Sequence, residues 1–302
     1  MTGGAGFIGS HLAERLLGRG FNVTVLDDLS AGKSRNLATM RKQERFRFLK
    51  GDVSKPRTLA RAVKGVDAVF HQAAISSFLR STRNPQRTVE VNVTGTLNVF
   101  EASRRTDVSK VVFASSAAVY GSKARTPCSE METPSPSSHY GVTKLAAENY
   151  CKMYQDAYGL KTVVLRYFNV YGPRQRADLE GGVVSIFISR LERGKPPLIY
   201  GDGRQTRDFI HVNDVVEANL RALQTAVAEE NVFNVGTGHP TSIIELAKLT
   251  AHLTGRSDLE PVFTTPREGD VRESFGEVSR TERILGFSPQ ISLQEGLRGL
   301  LR

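Results

Sequence analysis

Thr2-Gly-Gly-Ala-Gly-Phe-Ile-Gly9 decides the fold, because its glycines fall where a strand turns sharply into a helix beneath a phosphate. Gly3 permits the tight turn, Gly6 lets backbone approach a pyrophosphate, and Gly9 allows close packing of helix on strand. The helix that follows, over about 10–17, aims its N-terminal amides at the anion, with Phe7 and Ile8 at its entrance. Glycine spacing alone is weak evidence; the other half of the signature is a strand ending in an acid roughly 20 residues on. Phe21-Asn-Val-Thr-Val-Leu-Asp27 supplies it, with Asp27 placed for the hydroxyls of an adenosine ribose. An acid there repels a 2′-phosphate, so NAD is expected over NADP. Lys33 and Arg35, just beyond, read as solvent-facing.

Outward from this turn the first half alternates β-rich runs with helical stretches, the pattern of a parallel sheet with crossover helices. Strands are expected at 21–27, 46–50, 68–71, 111–115 and 162–167, and helices at 10–17, 56–62, 89–104 and 141–158. Only Met1 and Thr2 precede the turn, where a central strand of several apolar residues belongs. The expectation is a misplaced start codon or a trimmed chain, not a novel fold. After Asn169 come Tyr-Gly-Pro-Arg-Gln, a Gly181-Gly182 break and a Gly-Lys-Pro-Pro turn at 194–197, which read as a smaller lobe. A helix at 214–228 and a strand at 232–234 return to the main sheet. The fold class is therefore α/β: a Rossmann-type doubly wound parallel sheet over 1–167 plus about 204–238, with a smaller α/β lobe for the substrate over 168–203 plus 239–302.

At 302 residues, with 24% charged and 39% hydrophobic, the chain is long enough for a substantial core and is not of disordered composition. Its apolar runs are strand-sized, so neither a membrane span nor a signal peptide is expected. The net charge of +10 is scattered, without a basic tail or a nucleic-acid module, so nucleic acid is not expected as a partner. Cys128 and Cys151 lack metal-type spacing and read as reduced thiols of a cytoplasmic protein; no metal site is expected. The helices at 89–104 and 141–158 carry apolar positions on more than one face, which suits a homodimer through both.

Tyr140-Gly-Val-Thr-Lys144 lies downstream of Ser115-Ser116. Residues at i and i+4 share a helix face, so Lys144 can hold its ammonium near the phenol of Tyr140. Such a cation favours phenolate and is expected to draw the tyrosine from about 10 toward neutrality. On its own this is a surface Tyr/Lys pair; beside the glycine turn and the serines it reads as a redox site with a tyrosine base.

TGGAGFIGSH, DDLSAGK, GDV at 51–53, HQAA at 71–74, NVTGT at 92–96, SSAAVYG, YGVTK, RYFNVYGPRQ and GDGRQTRDFIHV at 201–212 run in order along nearly the whole chain. Together they resemble the extended short-chain dehydrogenase/reductase family, in particular its nucleotide-sugar 4-epimerases. The resemblance implies NAD as cofactor and a UDP-sugar as substrate. It puts Asp52 and Val53 beside the adenine, Asn92 and Tyr167 near the nicotinamide, Ser115 among the cofactor contacts, and Lys144 on the nicotinamide ribose. It assigns catalysis to Ser116, Tyr140 and Lys144, with Ser116 on the 4-hydroxyl of the sugar. Tyr167 and Asn169 mark the junction with the sugar diphosphate, Arg207 and Arg267 clamp that diphosphate, and Leu198 to Tyr200 line the uracil pocket. Asp270 and Ser274 belong to the segment bordering the C2 substituent of the sugar, where a small residue admits an N-acetyl group.

Related dehydratases carry Asp-Glu directly after the Ser116 position, and decarboxylases a Glu at the second of those places. Ala117 and Ala118 stand here, unable to donate or accept a proton. Glucuronate epimerases often show Arg-Pro-Asp-Met after Tyr-Gly-Pro; this chain has Arg176-Ala-Asp-Leu179, which weakens a uronic-acid substrate. The activity implied is NAD-dependent 4-epimerisation of UDP-hexoses. UDP-glucuronate 4-epimerisation and another nucleotide-sugar oxidoreduction are the alternatives, and a silent dinucleotide sensor is the rival outside enzymes.

Overall fold

The computed structural model describes residues 1–302 apart from 179–180, 227–230, 268 and 302. Strands β1 (Val23–Asp27), β2 (Phe46–Lys50), β3 (Ala68–His71), β4 (Lys110–Ser116) and β5 (Lys161–Tyr167) fall where the alternating pattern puts them, to within two residues. Helices α1 (Phe7–Gly18), α2 (Pro56–Val63), α3 (Phe78–Arg83), α4 (Pro85–Val89), α5 (Gly95–Arg105) and α6 (His139–Tyr158) connect them. Pairing is parallel: β1 with β2, and β3, β4 and β5 in succession.

Met1 to Gly3 join the two groups of strands. Thr2 bridges Leu26 on one side and His71 on the other, and its amide donates to the Phe70 carbonyl at 3.0 Å. The central position of a doubly wound sheet is thus held by three residues that lead directly into the glycine turn. β4 is buried on both faces, and its side chains alternate between two cores. Val112 and Ala114 pack with α1, while Val111 and Phe113 pack with α2, α5 and α6.

Beyond β5 the chain adds β6 (Asn169–Tyr171), α7 (Val183–Glu192), β7 (Leu198–Tyr200), β8 (Thr206–His211), α8 (Val212–Gln224) and β9 (Val232–Val235). The last segment comprises β10 (Pro240–Ser242), α9 (Ile243–Leu253), β11 (Val262–Thr264), β12 (Glu273–Ser274), α10 (Ser279–Leu285) and α11 (Leu293–Leu300). β9 pairs with β5 and α8 packs on α1, so both return to the main sheet. Of the helix expected at 214–228, Val227 and Ala228 lie outside the described residues.

Two readings need correcting. β8 does not join the main sheet with the rest of 204–238; it pairs with β10, β12 and β6, making the smaller sheet. The helix expected over 89–104 is not uniform either. A π-helical turn at Glu90–Thr94 interrupts it, and Asn92 in that turn is bound at both ends of its amide. Hydrophobic spacing does not register one extra residue in a turn. No helix among the described residues is long and apolar enough to cross a membrane.

Asp208 on β8 joins the two sheets. Fully buried, it accepts the amides of Thr237 at 2.7 Å, Gly238 at 2.9 Å and Gly276 at 3.3 Å, and the Thr237 hydroxyl at 2.7 Å. Asp208→Asn keeps the shape but turns an NH₂ toward amide donors. It is expected to cost about 2–4 kcal/mol, since each buried donor left unpaired costs about 1–3 kcal/mol. Urea unfolding checks this; a loss within experimental error removes Asp208 as the tie.

Candidate active site

The glycine turn is built for close approach. Gly3 has φ +69°, and a Cβ there would lie 2.6 Å from the Ala73 nitrogen; at Gly9 a Cβ would lie 2.2 Å from the Gly3 carbonyl oxygen. α1 starts at Phe7 with no side-chain cap on its end, so the first-turn amides, those of Phe7 and Ile8 among them, point outward without helical partners. Asp27 closes the turn: its carboxylate accepts the amides of Ala5 at 2.9 Å and Leu29 at 2.8 Å. Burial pushes that carboxyl up, and the two amides oppose the push. A groove over the ends of these strands is lined by Gly3, Gly6, Asp27, Asp52 and Val53. This cradle of glycines, outward amides and one acid fits a dinucleotide.

Arg80 and Arg87 also line the groove, and no sequence spacing marks them, because α3 and α4 are short helices after an irregular stretch. Arg87 pairs with Asp52 at 2.5 Å and with Glu90 at 2.7 Å. Burial acts to raise Asp52, but the Arg87 guanidinium and the Ser54 amide hold it below the usual carboxylate value.

Ser116 ends β4, and Tyr140 and Lys144 occupy the first turns of α6, which Ser138 caps by accepting the Gly141 amide at 3.0 Å. The Ser116 hydroxyl accepts the Ala118 amide at 3.2 Å and lies near enough to the Tyr140 phenol to favour its ionised form. Lys144, 3% exposed, donates to the Ala114 carbonyl at 2.7 Å. Its Nζ lies 4.8 Å from the Phe113 ring centre and 5.8 Å from that of Tyr140. The expectation that Lys144 draws the phenol toward neutrality fails in this arrangement. Burial dominates at both groups, raising Tyr140 to about 12, with Ser116 opposing, and lowering Lys144 to about 8. A site this dry penalises either charge.

The other expected cofactor contacts divide. Asn92 accepts the Ile75 amide at 2.8 Å and donates to the Ile75 carbonyl and the Thr143 hydroxyl, both at 3.0 Å, so it ties the segment after β3 to α6. The Tyr167 hydroxyl receives Asn219 at 2.8 Å and Gln72 at 3.0 Å. Ser115 faces away from Ser116, as neighbours on a strand must, and its hydroxyl is turned into the core to donate to Glu148.

On the second lobe Leu198 and Tyr200 bound β7, and the Arg267 guanidinium lies 4.0 Å over the Tyr200 ring. Arg207 donates to Asp270 at 2.5 Å and to the Thr206 carbonyl at 2.7 Å, so two of the expected ligands are paired with each other. Ser274 on β12 is half-buried and stands directly across from Arg207 in the pairing with β8. Asn169 starts β6 and faces a small cleft with Gln175 and Gly182 near the start of α7. Ala117 and Ala118 form the turn after Ser116. Among the described residues no cluster of His, Cys, Asp and Glu could hold a metal ion.

Residues 1–236 match the model of the NAD dependent epimerase/dehydratase family. The chain is 43% identical over 299 residues to a UDP-glucose 4-epimerase of Mycolicibacterium smegmatis, covering 98% of this chain and 95% of that protein. Among solved structures it resembles the UDP-glucose 4-epimerase of Thermotoga maritima with UDP-glucose, at 41% identity and a TM-score of 0.93 over 98% of this chain and 95% of that one. It also resembles a UDP-N-acetylglucosamine 4-epimerase of Methanobrevibacter ruminantium in complex with UDP-N-acetylmuramic acid, at 36% identity and a TM-score of 0.94, covering 99% and 95%.

The depressed Lys144 has a measurable consequence. Folding favours its neutral form, so its cost to stability is full below about pH 8 and vanishes above the ordinary lysine value of 10.5. Lys144→Met should therefore stabilise the protein at pH 7 by about 1–3 kcal/mol, the gain being reduced by the orphaned Ala114 carbonyl. The gain should shrink toward zero as pH rises through that window. Thermal melts across pH check it; a destabilised mutant at pH 7 would show that the buried ammonium costs nothing.

Proposed function

The chain belongs to the NAD dependent epimerase/dehydratase family, and we propose that it interconverts UDP-hexoses at C4 with NAD bound in the groove beside the glycine turn. The observation that carries the proposal is Tyr140 and the buried Lys144 ammonium on one face of α6, with Ser116 at the end of β4 acting on the phenol and alanines at 117 and 118. That set takes and returns one proton and has no acid for elimination. Ser116 orients the 4-hydroxyl, and Tyr140 removes its proton while Lys144 supplies positive charge beside the ring. NAD⁺, when bound, supplies the hydride acceptor, held by the glycine turn, the α1 amides and Asp27. The 4-keto sugar would then turn about its diphosphate tether and present its other face, where the hydride given back by the cofactor would restore the C4–H bond as Tyr140 returns the proton to the oxygen. Arg207 and Arg267, which now face Asp270 and Tyr200, are the cations for the diphosphate.

With β8 placed in the smaller sheet, the main sheet is assigned to the cofactor and the smaller lobe to the nucleotide-sugar. A homodimer is supported by an outward apolar stripe on α6 at helical spacing, where Val142 and Met153 are exposed and Ala146 and Tyr150 half-buried, with Val89 exposed on α4. Two free, buried cysteines support a cytoplasmic setting.

Incubating the protein with UDP-galactose and NAD⁺ and separating the sugars should yield UDP-glucose. Tyr140→Phe should lower that turnover by roughly 10²–10⁴-fold with NAD binding nearly intact. A mutant as fast as wild type would remove Tyr140 as the base.

Substrate breadth rests on Ser274. A small side chain opposite Arg207 leaves room for an acetamido group, so UDP-GlcNAc and UDP-GalNAc should be turned over alongside the hexoses. Ser274→Tyr should depress N-acetylhexosamine turnover selectively, by about 10-fold or more in the specificity ratio. The gate assignment fails if wild type ignores UDP-GlcNAc or if the mutant keeps the ratio.

A further inference from the structure

Behind the active site, on the same helix face as Tyr140 and Lys144, stands Glu148, one turn further along α6. It forms an almost fully buried ion pair with Arg166, the two side chains being 6% and 4% exposed. Arg166 Nε donates to Oε1 at 3.1 Å and Nη2 to Oε2 at 2.7 Å, and the Ser115 hydroxyl also donates to Oε1. Ser115 and Arg166 are direct partners across β4 and β5, so one carboxylate clasps both central strands from the helix. The guanidinium is fixed in turn over the Tyr120 ring at 4.8 Å.

A buried pair of this kind contributes little net stability against apolar residues of the same size, because desolvation offsets the attraction. Its place is more telling. Glu148 is the carboxylate one helix turn after Lys144 that acts on its ammonium, while Arg166 and Ser115 hold both carboxylate oxygens. We propose that Glu148 is a positioning residue for proton transfer at Tyr140: latched by Ser115 and Arg166, it presents the negative end of the pair to Lys144 and keeps that ammonium charged beside the phenol. The inference rests on the reading of Tyr140 as base.

The surroundings of Lys144 leave Glu148 as the only carboxylate acting on it among the described residues. On α6 it shares its environment with Tyr140, raised to about 12 by burial, and Cys151, pushed well above the thiol value by burial. On β3, burial and the Lys144 charge hold His71 at about 3 and therefore neutral. β4 offers the Ala114 carbonyl and the Phe113 ring. β5 offers Arg166, paired with the carboxylate, and Tyr167, raised by burial. Burial depresses Lys144, and Glu148 is the first influence opposing that drop.

Glu148→Gln keeps the shape and an acceptor but removes the charge. The alkaline limb of kcat for UDP-galactose, where Lys144 loses its proton, should then move down by about one pH unit or more, with NAD affinity unchanged. The rise in melting temperature with pH of the cofactor-free protein should begin lower by the same amount. Glu148→Asp, which keeps the charge, should leave both near wild type. Should Glu148→Gln not fold, Glu148→Gln with Arg166→Met leaves no unpaired buried charge and should show the same downward displacement. A limb and a melting profile that stay in place without the Glu148 charge overturn the proposal, as does an equal displacement in Glu148→Asp, which would mark packing as the cause. Tyr140→Phe assayed in parallel separates the two claims: if it keeps full turnover the base assignment itself fails, and if it is silent while the limb stays fixed only the role of Glu148 is lost.

Discussion

An ammonium carried into a nearly dry site is the constraint on which the rest of this structure depends. Lys144 can stay charged there only if acceptor, ring and carboxylate are placed for it, and three elements supply them. β4 ends so that the Ala114 carbonyl meets Nζ and the Phe113 ring lies beneath it. α6 brings Tyr140 one turn before and Glu148 one turn after. β5 brings Arg166, which holds that carboxylate in place. A parallel sheet buried on both faces gives these strand ends the rigidity that a loop-built site would lack.

The two lobes meet the same requirement from opposite sides. The glycine turn and Asp27 form a cradle at the ends of the main strands, with Asn92 tying the segment after β3 to α6. The smaller sheet is anchored to the main one through Asp208, which fixes the ends of β8 and β12 and with them Arg207 and Ser274. Arg207 already meets a carboxylate through one of its Nη atoms, so it is aimed at an anion.

Much of this was legible in the sequence because it depends on local pattern. Strand spacing, the glycine turn, the acid at Asp27 and the i, i+4 relation of Tyr140 to Lys144 follow from periodicity and motif. What escaped the sequence depends on tertiary pairing. The Glu148–Arg166 pair joins residues 18 apart through a sheet register, and Arg87 reaches Asp52 across 35 residues. The π-helical turn at Asn92 is one residue of slippage inside an otherwise regular pattern. The direction of the Tyr140 shift is not legible in the spacing, which shows a nearby cation but not the burial of both groups. The sequence also carries the starts of α9 and α11, where Ser242 and Glu245, and Ser292 and Glu295, form capping boxes.

The central claim is that this site oxidises and re-reduces C4 of a UDP-hexose with one retained hydrogen. Incubating the protein with UDP-galactose and NAD⁺ in D₂O, and examining the sugar by proton NMR, tests it most directly. The mechanism requires UDP-glucose that keeps protium at C4, with no NADH accumulating. Deuterium at C4, or NADH formed in proportion to sugar consumed, would contradict it.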